Sequence, residues 1–567
     1  MAGHGGAAQG TGGATSQGGT APGGLGGEAA VSGGPTSSAG NSGASSSGGT
    51  GDPVTGTAFS VLTNRYDNDR TGANTHETVL NASNVAATGR FGLLFSRLYD
   101  GNPYAQPLYV GGLTIAGAKH NVVFVATSTN DVYAFDADDP AVTAPYWHKQ
   151  VAPPATVAVG GSPGAVNPVG TTWCQDMYPF SGITGTPVID PATNRMYLVS
   201  QEGNPQNSPA YGLKLHALDL ATGSEVGGAP VVIDATVDGT GGGSKDGKVK
   251  LDAWRQFNRA GLTLFKGVLY ISLTSHCDEN PYHGWMFAYD PATLAQKSVF
   301  NTTPNNAGGA IWQSGNGIAV NDNGLFFSTS NGSHSADGKA LGVSVVRLGL
   351  DNKLGDWYTP GNADGLNGSD QDVAGGVILI PGTNYLISGG KEGVAYVVDQ
   401  TNMSHFNSTD QISQKLKIGG ELHDFVYYNN HVYFWPDGSP LRMYPFGNGK
   451  LDAAGVKTFD GYTPNHPGGI MSVSANGTAD PNAILWSTVL TAGDAWHNIA
   501  KGALLALNAA DPTKVLFDSS KAGAANVLGN LAKFSPPTVA NGKVYVTTFA
   551  DVKMTSPSYL RVYGLKN

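Results

Sequence analysis

Charge is scarce in this chain. Asp, Glu, Lys and Arg make up 13% of its 567 residues, about half the share in an ordinary soluble protein. The formal net charge is −10 and no dense Lys/Arg run occurs. That excludes a nucleic-acid partner, because phosphate binding needs a clustered basic surface, and it argues against an anionic membrane surface. No stretch of 18 apolar residues occurs, so no transmembrane segment is expected. Helical periodicity is nearly absent. No Gly-x-Gly-x-x-Gly links a strand to a helix, and no Gly-x-Ser-x-Gly elbow precedes one, so nucleotide binding and the hydrolase elbow have no support. Cysteine is down to two residues, Cys174 and Cys277.

Glycine, by contrast, is abundant, with 81 residues. Low charge with many Gly, Asn, Thr and Ser residues suits a turn-rich β protein outside the cytoplasm. Residues 1–50 carry a single charged side chain, Glu28. Such a segment buries too little apolar surface to offset its chain entropy, so residues 1–56 are expected to form a disordered stalk. The start, Met1-Ala2-Gly3-His4-Gly5, has neither the basic nor the apolar part of an export signal. The expectation is an extracytoplasmic protein (secreted, periplasmic or a cell-surface lipoprotein) whose export signal is not in this chain. Gly/Ser tails of this kind follow the anchoring cysteine of bacterial surface lipoproteins. A lipid-anchored tether is therefore expected, although the anchoring cysteine is absent.

A unit recurs after the stalk. The second copy reads Gly185-Thr186-Pro187-Val188-Ile189-Asp190, a turn at Asn194, Met196-Tyr197-Leu198-Val199-Ser200, then Leu215-His216-Ala217-Leu218-Asp219. The eighth has Pro537-Thr538-Val539, the turn Asn541-Gly542, then Val544-Tyr545-Val546-Thr547-Thr548. Asn-Gly between alternating apolar runs marks a hairpin, since both residues tolerate positive φ. The aromatic runs fall near Val122, Met196, Val268, Leu325, Tyr385, Val432, Ile484 and Val544. Eight such runs predict an all-β, eight-bladed β-propeller of four-stranded antiparallel blades over residues 57–567. The last unit stops one strand short. Phe91-Gly92-Leu93-Leu94-Phe95-Ser96 resembles Val515-Leu516-Phe517-Asp518-Ser519, the fourth strand of unit seven, so the N-terminal run is expected to close the ring.

Ala217-Leu218-Asp219-Leu220-Ala221-Thr222-Gly223 resembles the core of the pyrroloquinoline-quinone (PQQ)-type propeller repeat. Ala134-Phe135-Asp136 followed by Trp147 is similar to that repeat with its docking Trp. The opening stretch Asn68-Asp69-Arg70-Thr71-Gly72-Ala73-Asn74, Leu80 to Val85 and Pro107-Leu108-Tyr109-Val110 resembles that of quinoprotein alcohol dehydrogenases. Tyr104 to Val110, Pro281 to Trp285 and Ile311 to Gly315 are similar to stretches in secreted bacterial propellers with no assigned reaction. The resemblance implies the fold and export. For activity it raises PQQ with calcium, yet the adjacent Cys-Cys pair and the Cys-x-x-Cys-His haem motif of such dehydrogenases are missing.

In a propeller of this kind the connections leading into strand A and the B–C loops share one face, around the channel mouth. The densest cluster there is His276-Cys277-Asp278-Glu279-Asn280-Pro281-Tyr282-His283. His276, Asp278 and His283 are candidates for a divalent metal or for acid/base catalysis. A loop that merely satisfies its own backbone is the bland alternative. Trp312 is a candidate platform for a flat ring, with Lys391 and Arg259 as cations for carboxylates and His423 and His466 beside them. Cys174 and Cys277 fall on the same face of neighbouring blades and are expected to pair. Arg70 is read as a structural tie to an early blade. Three functions stay open: a scaffold binding a small molecule, glycan or protein at the channel mouth; a PQQ- and calcium-dependent alcohol or sugar dehydrogenase; and a metal- or acid/base-dependent carbohydrate lyase or hydrolase.

Overall fold

The structure, a computed structural model, describes residues 59–156, 177, 180–204, 207–496, 498–551 and 556–566. The stretch 1–56 expected to be a stalk lies outside these. Eight antiparallel sheets of four principal strands, A to D, form the blades. The second strands are Ala118–Ala126, Arg195–Asn204, Val268–Ser275, Gly324–Ser328, Tyr385–Gly389, His431–Phe434, Ile484–Leu490 and Lys543–Thr547. Each contains one of the eight aromatic runs. These strands are buried on both faces, which is why they read as continuous apolar runs rather than alternating ones.

Blade eight takes strands A to C from Thr538–Ala540, Lys543–Thr547 and Ser558–Leu565, and strand D from Phe91–Tyr99. The ring is thus closed by an N-terminal strand, as expected. Strand C often ends in Asp for a local reason. Asp136, Asp219 and Asp290 each accept hydrogen bonds from the two backbone N–H groups two and three residues on, capping the C–D turn. The docking Trp of blade one also behaves as its motif implies. Trp147 donates its indole N–H to the Leu220 carbonyl at 2.9 Å. Its ring lies so close to Gly223 that a Cβ there would come within 2.6 Å, so only glycine fits.

The channel itself is threaded by the chain before blade one. Val61 pairs with Tyr109 of blade one, and the carbonyls of Leu62, Asn68, Asp69, Thr71 and Gly72 accept from Ile189, Val320, Leu379, Tyr427 and Val473. Those five residues stand on strand A of blades two, four, five, six and seven. Arg70 donates to Thr263 of blade three, and the Asn74 amide to the Val539 carbonyl of blade eight. One segment therefore bonds to all eight blades. It winds tightly enough that Arg65, Tyr66 and Arg70 take positive φ, a conformation held in place by these bonds.

Candidate functional site

The axial segment fills the channel at the level of strand A. A cavity of about 540 Å³ remains a few residues upstream, where the connections into strand A converge. Tyr104, Arg259, Trp312, Asp372, His423, His466 and Phe534 come from those connections, and Asp278, Asn331, Lys391 and Trp496 from B–C loops. At its centre the buried Arg259 guanidinium sits 5.1 Å from the ring of Phe534, 5.4 Å from Trp312 and 5.7 Å from Tyr104. Its Nη1 donates to the Thr184 carbonyl at 3.3 Å. Three aromatic faces around one cation make a rigid floor.

One wall is acidic. Ligand oxygens of Asp278, Asp370 and Asp372 lie within 4.8 Å of one another. Lys391 Nζ stands 2.8 Å from Asp370 Oδ1 and 3.7 Å from Asp372 Oδ1. Asn331 Nδ2 bridges Asp370 at 2.5 Å and Asp278 at 3.2 Å. Burial pushes the Asp372 carboxyl up to about 7, against the pull of Lys391 and with the added push of Asp278 and Asp370. Burial works against the Lys391 ammonium, but Asp372 and Asp370 more than offset it and hold Lys391 above the ordinary lysine range.

The adjoining wall, on blades six and seven, carries two imidazoles and two carboxylates. His423 Nε2 is 3.1 Å from Glu421 Oε2 and 3.8 Å from Asp437 Oδ2. His466 Nδ1 is 3.2 Å from the same Asp437 oxygen. The two rings are 4.7 Å apart at 77°, and Trp496 stacks on His466 at 5.7 Å. Burial holds His466 below the usual histidine range, and the Asp437 hydrogen bond only partly opposes it. Burial would raise Glu421, but the His423 hydrogen bond and charge win and lower it.

Asp278, Trp312, Lys391, Arg259, His423 and His466 thus meet in one cavity. The metal set expected at the loop of blade three does not form. His276 is buried, stacked on Phe257 at 4.2 Å, with Nε2 3.2 Å from Gln201 Oε1. His283 spends Nδ1 on Thr303 Oγ1 at 3.0 Å and Nε2 on the Gly242 carbonyl at 2.9 Å. His276 ties blade three to blade two and His283 bonds within its own surroundings, and neither lines the cavity with Asp278. Cys277 does line it and is disulfide-bonded; Cys174, its expected partner, lies outside the described residues. Glu421 and Asp437 were not singled out from sequence. Glu421-x-His423 offers a weak signal, but Asp437 sits in Pro436-Asp437-Gly438, which reads as a plain turn.

No protein-family model matches the chain, and no curated protein matches it. Solved structures do share its fold. A quinohaemoprotein alcohol dehydrogenase from Comamonas testosteroni superposes with a TM-score of 0.57 at 15% identity, covering 89% of this chain and 80% of that one. One from Pseudomonas putida HK5 gives 0.57 at 13% identity, with coverage of 89% and 80%. A europium-containing methanol dehydrogenase gives 0.52 at 13% identity, with 89% and 98% covered. The architecture is therefore that of the PQQ-type β-propeller.

Proposed function

We propose that this propeller binds a small ligand in its axial cavity. The observation that carries the reading is the cavity itself, about 540 Å³, within the range of small-molecule sites. Its side chains come from the connections and loops of all eight blades, Met177 from the one leading into blade two, and its floor is fixed by the Arg259 box. Trp312, Phe534 and Trp496 offer apolar faces, while Asp278, Asp370, Asn331 and Glu421 offer hydrogen-bonding groups. That mixture suits a polyhydroxylated molecule such as a sugar unit, with one apolar face and a polar rim. An extracytoplasmic location fits this role.

The fold also raises a PQQ-dependent dehydrogenase, but the cavity's charge does not suit a quinone carrying carboxylates. Lys391 is engaged by Asp370 and Asp372. Lys533 Nζ donates to the Trp496 carbonyl at 2.6 Å, and Arg259 is enclosed by aromatic rings. Asp278, Asp370, Asp372 and Glu421 line the same space. An acid/base enzyme finds support in Asp372, whose carboxyl titrates near neutral pH within the cavity. Calorimetry with simple mono- and disaccharides, and separately with PQQ plus Ca²⁺, tests the ranking. Sugar binding is expected to weaken at least about 10-fold in Ala374→Phe, which fills the cavity, and PQQ is expected not to bind. Saturable PQQ binding lost in Ala374→Phe would reverse the assignment.

A further inference from the structure

We infer that Glu421, His423, Asp437 and His466 form a binding site for one divalent transition-metal ion, opening on the axial cavity. This does not depend on which organic ligand the cavity takes. The four side chains each present one ligand atom, all within 4.8 Å of one another. Three of their six separations are 3.1, 3.2 and 3.8 Å, close to the edge of about 3.3 Å that a tetrahedron has when metal–ligand bonds are about 2.0–2.1 Å. Two imidazoles and two carboxylates form a donor set suited to Zn²⁺ and its neighbours, and two carboxylates neutralise a dication.

The proton positions point the same way. Ser314 Oγ donates to the Ala374 carbonyl at 3.2 Å. The same oxygen lies 3.1 Å from His423 Nδ1 and, with its hydrogen on Ala374, accepts from that ring nitrogen. His423 Nε2, the other ring nitrogen, faces Glu421 and Asp437. A bound cation would take the place of a proton between Nε2 and the two carboxylates. This is the arrangement of a metal-ligating histidine whose other nitrogen is fixed by a hydrogen bond. On the adjoining blade Lys391 is ion-paired with Asp370 and Asp372. Here, among the described residues, the ion pairs of Glu421 and Asp437 are with histidines alone, and the buried Asp437 Oδ1 has no hydrogen-bond partner.

The three loops are held before any ion arrives. Asp437 N–H donates to the Glu421 carbonyl at 3.2 Å, Gly438 N–H to the Pro464 carbonyl at 2.8 Å, and Ala495 N–H to the His466 carbonyl at 3.2 Å. The first two loops approach so closely that a Cβ at Gly420 would lie 2.0 Å from the Asp437 carbonyl oxygen. Because His423, His466 and Glu421 also line the cavity, an ion held here faces it and can take a further ligand from that side.

The test uses the full chain without a histidine tag, stripped with chelator and dialysed. Calorimetry with Zn²⁺ is expected to give one ion per chain, and Co²⁺ to give the visible bands of a four- or five-coordinate N/O site. His423→Ala and the milder His466→Gln are expected to weaken Zn²⁺ at least about 100-fold. Ser314→Ala, which does not touch the ion, is expected to cost about 10–100-fold. His405→Ala, in an exposed His–Asp pair on blade four, is expected to change nothing. Circular dichroism checks folding of each variant. Anomalous scattering from wild-type crystals soaked in Zn²⁺ gives a readout that needs no variant. Failure of the wild-type chain to bind Zn²⁺ or Co²⁺ overturns the inference, as does an anomalous peak elsewhere or unchanged affinity in folded His423→Ala. Sugar binding that persists in stripped protein leaves the ligand reading intact whatever the metal result.

Discussion

Phe91 and Leu565 lie opposite each other in one antiparallel ladder, so the first long strand of the chain and its last are hydrogen-bonded neighbours. Phe91 is buried against Phe517 at 4.9 Å and Trp486 at 5.3 Å, both of blade seven. It therefore joins the closing strand to the neighbouring blade as well as to its own. Phe91→Ala is expected to cost about 3–5 kcal/mol by urea denaturation. Leu98→Ala, on the same strand but 57% exposed, is expected to stay within about 0.5 kcal/mol. Deleting residues 1–100 is expected to abolish the cooperative transition by opening the ring, whereas deleting 1–55 removes no described contact and leaves it unchanged. Equal costs for the two point variants would contradict the closure.

Arg70 is fully buried and ties the axial segment together. Its guanidinium donates to Ile318 and Thr263 on two blades and to Thr63, Asn64 and Asp67 within the segment. Burial lowers it to about 10, still charged at neutral pH. Arg70→Met is expected to lower stability by at least about 2–3 kcal/mol, because several buried acceptors lose their donor. Arg70→Lys is expected to recover only part, since one ammonium cannot span the fork. A neutral Arg70→Met would show that the segment is dispensable.

Asp372 predicts a pH dependence. An unfolded aspartate titrates near 3.9, while burial lifts Asp372 to about 7. Between about pH 4 and 7 the native state holds a proton that the unfolded state has lost. Stability from this group is therefore greatest below about pH 4 and is lost as pH rises towards 7. Asp372→Asn is expected to gain Tm over wild type as pH goes from 5 to 8, and to match it more closely at the acid end. A difference that does not vary with pH contradicts the assignment.

Cys277 lines the cavity in a disulfide, and no cysteine among the described residues is free. Thiol titration of unfolded, unreduced protein is expected to find none, and peptide mapping to find Cys174 linked to Cys277. Such a bridge closes a loop of about 100 residues, for which the chain-entropy scale is about 4–5 kcal/mol. Cys277→Ser is expected to lose a comparable or smaller amount. Two reactive thiols would remove the bridge from the account.

The repeat was legible because every blade spends its second strand on the core, which leaves eight apolar runs at regular spacing. The closing strand was legible because Phe91 to Ser96 carries the pattern of Val515 to Ser519. The axial segment was not, since it bonds mainly through backbone carbonyls such as those of Asn68 and Thr71, and these leave no mark on residue choice. Assigning the connections into strand A and the B–C loops to one face puts Trp312, Lys391, His423 and His466 together, and in the structure they line one cavity. It does not place His276 and His283, because loop membership does not say which way a side chain turns: His276 turns onto Gln201 of blade two and His283 onto Thr303 and Gly242. The cluster of Glu421, His423, Asp437 and His466 comes from three loops on two blades. No spacing along the chain announces it.

The central claim is that the open end of the channel is a working site. Crystals soaked with a library of sugar and small aromatic fragments test it most directly. The account predicts fragment density in the cavity, against Trp312 and Trp496 and within reach of Asp278, Asn331 and Glu421. Fragments bound repeatedly elsewhere, with none in that cavity, would contradict it.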